Sequence, residues 1–385
     1  MPLFRSRTAF QIVRNVRAFL HLDTGVVRGE SPPTPEEVQT RLRQQLAGKD
    51  QQLANKDQQL VDKDQQLEEA SQSLENKNRQ ISSLEKELGA HSVGAGNIVW
   101  VFGTVRTGST WLASMMSQGE NHAMWNEPRV GELFGAFYES AAHRRDNENF
   151  VMGTHRKLVW LKSVRNFVLD AAGAKYPRFA SYGLLVIKEP SGSIGARILM
   201  EALPESAMVL LVRDPRDIVA SALDAAREGS WAYELRGTKR REKRGLVGAA
   251  DTPLDDFTGK SPDEVVEDQA AMYLQYVGNS KRAFDAHDGR KVLVRYEDLL
   301  SDTLGTMKRI YSELEIKVDE EGLASTVEEY SWKNIPEEEK GEGKFYRKGV
   351  SGGWREDLTP DQVKAVEEIT GPLLREFYPD GTGGT

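Results

Sequence analysis

Three short segments of this 385-residue chain place basic residues at turns that could bind anions, two of them with glycines. The first, GTVRTGSTW from Gly103 to Trp111, follows an apolar run and leads into a helical pattern. A strand that enters a glycine-bearing turn and then a helix presents backbone N–H groups and a helix N-terminus to a phosphate. Gly103 and Gly108 have the spacing of a nucleotide phosphate loop, but Ser109 stands where such a loop carries its lysine, so Arg106 is the loop's cation and an ATPase is disfavoured. In the second segment, LLVRDPRDIVASAL, Arg213 leaves the end of an apolar run and Ser221 falls on the next helix, so a guanidinium and a hydroxyl can converge on a second phosphate. Asp214 ahead of Pro215 is also a helix-start signature, which makes Arg216 and Asp217 equally readable as ordinary first-turn residues. The third, FYRKGVSGGWRE, sets Arg347, Lys348 and Gly349 before a glycine-rich turn and Trp354, a residue suited to anchoring the loop.

Cations so far apart in sequence act together only if the fold gathers them. Ile98 to Phe102, Leu184 to Ile187, Met208 to Val212 and Val292 to Val294 are short, apolar and β-branched, as buried parallel strands are. Helical patterns over Ser109 to Ser117, Ser193 to Leu203, Arg216 to Arg227 and Glu264 to His287 alternate with them. The expectation is an α/β fold, a P-loop-like parallel sheet flanked by helices, whose ligands collect at the carboxyl ends of the strands. This domain is expected over residues 97–378, behind two other segments.

The first, residues 1–30, opens with a run holding Arg5, Arg7, Arg14 and Arg17, no acid, and Ile12, Val13, Val16, Phe19 and Leu20 at helical spacing. That is a basic amphipathic helix suited to a membrane surface or a protein partner, without the apolar core of a signal peptide or membrane span. After the proline-rich ESPPTP, residues 36–88 repeat KDQQL with a period of seven and set Leu46, Leu53, Leu60, Leu67, Leu74, Ile81 and Leu88 in one register. A helical coiled-coil stalk and a homo-oligomer follow, although the second seam position holds Asp50, Asp57, Asp64, Ser71 and Asn78 and leaves the seam half hydrophobic.

A net charge of −8 argues against a nucleic-acid partner, and the absence of cysteine removes disulfides, Cys-ligated zinc and thiol nucleophiles. A cytoplasmic location, with or without peripheral attachment to membrane, fits this composition. The basic stretch within Glu228 to Pro262, with Lys239, Arg240, Arg241, Lys243 and Arg244, reads as a lid or acceptor-contact loop or as a solvated charge run.

Taken in order, the segments resemble the sulfotransferases. GTVRTGSTW is similar to their 5′-phosphosulfate loop, VRDPRDIVASAL to their 3′-phosphate segment, VLVRYEDLLSDT to their late strand and turn, and RKGVSGGWREDLTPDQ to their C-terminal phosphate loop. The resemblance implies transfer of a sulfuryl group from 3′-phosphoadenosine 5′-phosphosulfate (PAPS) to an acceptor hydroxyl or amine, carbohydrate included, with PAP as product and no metal. It assigns Arg106, Thr107, Gly108, Ser109 and Thr110 to the 5′-phosphosulfate, Trp111 to the adenine, and Arg213, Ser221, Arg347, Lys348 and Gly349 to the 3′-phosphate. Arg106 takes the place of the lysine of soluble small-molecule enzymes, as in tyrosylprotein and many bacterial ones, and is expected to act as an electrostatic stabiliser. Lys188-Glu189-Pro190 matches the family's KTH segment without its histidine, so the expected base is Glu127 in WNEPRVGE, ahead of Glu189, His122 and His155. Lys188 is expected to polarise the transferring group or to pair with Glu189. A nucleotide-dependent kinase and a non-catalytic nucleotide-binding scaffold organised by the stalk are the competing readings.

Overall fold

The computed structural model describes residues 34–88, 94–176, 183–233 and 259–379. The basic N-terminal helix and the run from Lys239 to Arg244 lie outside the described residues. The chain divides into two compact units, Met1–Glu85 and Lys86–Thr385.

In the first unit the described residues form one helix, α1, Pro35–Leu88, whose 54 residues at about 1.5 Å each span about 80 Å. It has no proline after its first residue, and Gln58→Asp62 and Gln65→Glu69 hydrogen bonds support it at the i,i+4 spacing. Leu46, Leu53, Leu60, Leu67 and Leu74 lie exposed along it at heptad spacing.

The second unit is built on a five-stranded, all-parallel sheet in the order β2-β3-β1-β4-β5. The strands are β1, Ile98–Phe102; β2, His122–Asn126; β3, Leu184–Lys188; β4, Ala207–Val212; and β5, Lys291–Arg295. β1, β3 and β4 are buried at every residue because helices cover both faces of the sheet. On one face Trp100 and Phe102 stack at 5.6 Å within the larger core, while Val99 and Val101 join Leu112, Met115 and Met116 on the other. Each such side chain contributes roughly 1.5–3 kcal/mol of burial. β5 differs from the sequence expectation: it is an edge strand that buries only Val292 and Val294. β2, half exposed on the opposite edge, was not expected at all.

The helices following the strands are α2, Ser109–Met116; α3, Val130–Ser140; α4, Lys157–Lys175; α5, Ala196–Ala202; α6, Pro215–Ala226; and α7, Pro262–Ala286. After β5 come α8, Tyr296–Ser301; α9, Thr303–Glu313; α10, Glu320–Glu329; α11, Trp354–Asp357; and α12, Pro360–Phe377. Three start where the sequence punctuates them. Asp214 caps α6 through the Arg216 N–H with Pro215 in the first turn, and Ser261 and Thr359 form capping boxes with Glu264 and Gln362 at α7 and α12. Register pairs Asn126 with Lys188 and Val212 with Arg295, so the carboxyl ends of the strands share one edge of the sheet.

Candidate active site

A cleft of about 810 Å³ opens in this unit. Of the first loop it is lined by Arg106, Gly108, Ser109, Thr110 and Trp111, and of the other anticipated segments by Arg213, Ser221, Arg347, Lys348 and Gly349. Glu127 and Lys188 line it too. Thr107 does not: fully buried, it closes the turn by donating its hydroxyl to the Thr104 carbonyl at 2.8 Å.

The first loop turns sharply, with Arg106 and Gly108 both left-handed at φ 68° and 81°. Arg106 does not fold back over its own loop. Its Nε donates to Ser221 Oγ at 2.9 Å and a terminal nitrogen to the Phe345 carbonyl at 3.0 Å, with Trp231 and Phe345 beneath the guanidinium at 5.6 and 5.3 Å. Arg213 donates to the carbonyls of Arg106, at 3.1 Å, and Val350, at 3.2 Å, and lies 4.2 Å over the Tyr296 ring. Two arginines thus sew the first loop to α6 and to the C-terminal loop. Burial, with the positive charge of Arg213 and Arg347, lowers the Arg106 pKa to about 10, which still leaves a cation at neutral pH.

One face of α6 organises the C-terminal loop. Asp217 accepts from the N–H groups of Gly352 and Trp354 at 2.8 and 3.0 Å, and Asp224, two turns on, accepts from Gly343 N–H at 3.0 Å. Asp217 therefore belongs to the loop's support, while Arg216 is held by Asp214 and Glu367. Trp354 packs in a small cluster with Val219, Val266 and Val366, beneath Arg216 at 4.1 Å, as an anchor should. Arg347 meets Asp357 at 2.6 Å and Asp224 at 3.5 Å, and Lys348 meets Asp357 at 3.0 Å. The Nε atoms of Arg213 and Arg347 are buried without a hydrogen bond, that of Arg347 3.5 Å from Asp224, while both arginines line the cleft. Gly349, at φ 61°, admits Trp332, whose ring would stand 2.4 Å from any Cβ there.

The reactive carboxyl end sits where β2 and β3 finish. Lys188 Nζ lies 2.7 Å from Glu127 Oε1 and donates to Thr110 Oγ1 at 2.9 Å, while Ser191 Oγ donates to Glu127 Oε2 at 3.3 Å. Lys188 therefore pairs with Glu127, not with Glu189. The fully buried Glu189 carboxylate instead accepts from the N–H groups of Arg129 and Gly131, both at 3.1 Å, and clamps the turn in which Glu127 and Arg129 are left-handed at φ 46° and 61°. Behind that turn α3 touches the segment 192–195 backbone to backbone: a Cβ on Gly131 would lie 2.0 Å from the Gly192 carbonyl oxygen, and one on Gly195 2.1 Å from that of Gly131. His122, bonded through Nδ1 to the Met116 carbonyl, begins β2 rather than ending it, and His155 meets the Glu148 carbonyl on an exposed turn; neither lines the cleft.

A family model for the sulfotransferase domain matches residues 97–378. The chain belongs to the sulfotransferase family. Solved structures similar to this sulfotransferase include a mouse sulfotransferase complexed with PAP, 12% identical, covering 74% of this chain and 90% of that one at a TM-score of 0.40. A sulfotransferase from Mycobacterium avium is 15% identical over 73% of this chain and 77% of its own, and the sulfotransferase domain of the curacin biosynthetic pathway is 14% identical over 72% and 96%, both at a TM-score of 0.40. No curated protein matches the chain.

Sequence reasoning missed three contributors to the sulfotransferase cleft. Tyr296, in the quoted YED turn, carries Arg213 and meets Trp111 edge-on at 6.3 Å; Tyr330 accepts the Trp111 Nε1–H through its carbonyl at 2.8 Å; and Trp332 packs on Gly349. The tyrosine next to two acids at a strand end was the available signal; Trp332 carried none.

Proposed function

We propose that the cleft binds PAPS and transfers its sulfuryl group to an acceptor hydroxyl or amine. The observation that carries this reading is the convergence of Arg106, Arg213 and Arg347, more than a hundred residues apart in sequence, on one cavity. Three guanidinium groups lining one cleft fit a doubly phosphorylated nucleotide. In this reading the backbone of residues 106–110 and the start of α2 hold the 5′-phosphosulfate. Arg213, Ser221, Arg347, Lys348 and Gly349 hold the 3′-phosphate, and Trp111 lies against the adenine with Trp332 on the same cleft.

The donor supplies an activated sulfuryl group whose departure leaves PAP. Glu127 takes the acceptor's proton as the nucleophile closes on sulfur. Lys188, within reach of both Glu127 and Thr110, fixes that carboxylate and offers positive charge where negative charge gathers. Arg106, a permanently charged fork, stabilises the same charge without giving up a proton, and its bond to Ser221 couples that task to the 3′-phosphate contact. The stalk is read as a self-association device and the N-terminal basic segment as a docking element for a membrane or a protein; the acceptor remains unassigned. A labelled-donor assay across an acceptor panel tests the reading. Arg106→Ala should lower turnover at least about a hundredfold; full turnover by that variant would remove the role given to Arg106.

A further inference from the structure

Six of the nine exposed large hydrophobic residues described in the transferase unit lie on α3, α4 and the segment that joins them. Leu133, Phe137, Val151, Leu158, Val159 and Phe167 are between 47% and 85% exposed, Leu158 most of all. Ring contacts pack α3 against α4 and against the connection between them. Phe134 meets Phe167 edge-on at 5.5 Å, Phe137 rests against Phe150 beside Val151 at 5.8 Å, and Tyr138 lies against Trp160 beside Val159 at 5.5 Å. Exposed aliphatic and aromatic tips gathered this way mark an interaction surface rather than scattered surface residues.

The surroundings are cationic. His143-Arg144-Arg145 and His155-Arg156-Lys157 flank Val151, and residues 130–175, α3 included, hold seven Lys and Arg against five acids in a chain whose net charge is −8. Arg145, Lys157 and Arg165 are taken up by Glu139, Glu201 and Glu205, but Arg156 and Lys162, both exposed, form no ion pair among the described residues.

We propose that this face of α3 and α4 docks onto an anionic phospholipid bilayer. Apolar tips that enter the headgroup boundary beside uncompensated cations are the chemistry an anionic membrane surface selects. The other occupants are disfavoured by charge: a second copy of this face would bring like charge against like, and so would the Arg-rich N-terminal segment. α3 begins three residues after Glu127, and the Glu189 clamp ties that turn to the end of β3, so a docked α3 holds the reactive carboxylate at a fixed height above the lipid. The inference stands apart from the donor assignment.

The test is co-sedimentation of the full chain with vesicles of phosphatidylcholine plus phosphatidylglycerol, and of phosphatidylcholine alone. The expected result is salt-sensitive binding to the anionic vesicles only. It should fall more than about tenfold in Leu158→Glu/Val159→Glu and about fivefold per cation removed in Arg156→Gln/Lys162→Gln. An unchanged thermal unfolding midpoint shows that the variants fold. Replacing Arg5, Arg7, Arg14 and Arg17 with Gln measures the N-terminal share separately. A wild-type chain indifferent to anionic vesicles, or face variants that bind them as wild type does, overturns the proposal. So does a face variant that changes the chain's mass in solution while vesicle binding stays the same, an outcome that makes the face a protein contact.

Discussion

Replacing Glu189 with Gln should flatten the loss of stability that the protein undergoes between mildly acid and neutral pH. The carboxyl is 0% exposed, and burial pushes its pKa from 4.5 to about 7 against the pull of the Gly131 and Arg129 N–H groups, with Glu127 and Glu132 adding repulsion. In the unfolded chain the proton leaves near 4.5, whereas in the folded chain it stays until about 7. Over that window the folded state holds a proton that the unfolded state has released, so rising pH favours unfolding: the contribution is whole below about 4.5 and gone above about 7. At about 1.36 kcal/mol per pH unit the span amounts to about 3 kcal/mol. Gln is neutral throughout and lacks the dependence, but its single acceptor oxygen leaves one of two N–H groups poorly served, at a cost of about 1–3 kcal/mol that pH does not alter. The variant should therefore be weaker than wild type by about 1–3 kcal/mol near pH 4.5 and equal to it or up to about 2 kcal/mol more stable near pH 8. Urea unfolding of both proteins at the two pH values gives the four free energies required. Parallel pH slopes would refute the placement of an enclosed, titrating carboxyl behind the Glu127 turn.

Glu127→Gln should cut turnover about a hundredfold to ten-thousandfold while leaving calorimetric binding of PAP close to wild type; equal losses in both would make Glu127 a structural residue. Gly349→Ala puts a methyl into the Trp332 ring at a left-handed position and should weaken PAP binding by about tenfold or more, with the far-ultraviolet circular dichroism spectrum unchanged. For the stalk, light scattering should find an oligomer for the full chain and a smaller mass for Leu53→Asp/Leu60→Asp; a monomeric wild type would leave the heptad register without a partner.

β1, β3 and β4 were legible in the sequence because a strand covered on both faces must be apolar at every position. β2 was not, since HAMWN pairs with one neighbour only and its half-exposed residues follow no period. β5 looked like an interior strand because Val292, Leu293 and Val294 are all apolar; only the flanking Lys291 and Arg295 hint at an edge. Within the site, Arg106 and Arg347 could be found because they stand in glycine-bearing turns, and Arg213 because it leaves the end of an apolar strand. Tyr296 and Trp332 could not, because an aromatic that builds a cleft wall has the same composition as one that fills a core. The partner of Lys188 was misjudged for two reasons: successive side chains at a strand end point to opposite sides, so Glu189 faces away, and Glu127, one residue beyond the Asn126 that pairs with Lys188, leaves the pleat at a left-handed φ of 46° and meets it.

The backbone seam of Gly131, Gly135 and Gly195 bears on how this enzyme can vary. No atom there reacts, yet the thickness of two bare main chains sets how far α3 stands from the turn after β3. A single methyl would wedge them apart by something on the order of an ångström, and the carboxylate at 127 would drift with the helix away from its ammonium partner. An offset of that size can cost about a hundredfold in rate with every reactive group still present, so under the proposed mechanism the gauge of the proton-transfer gap is kept by residues that have no functional group at all.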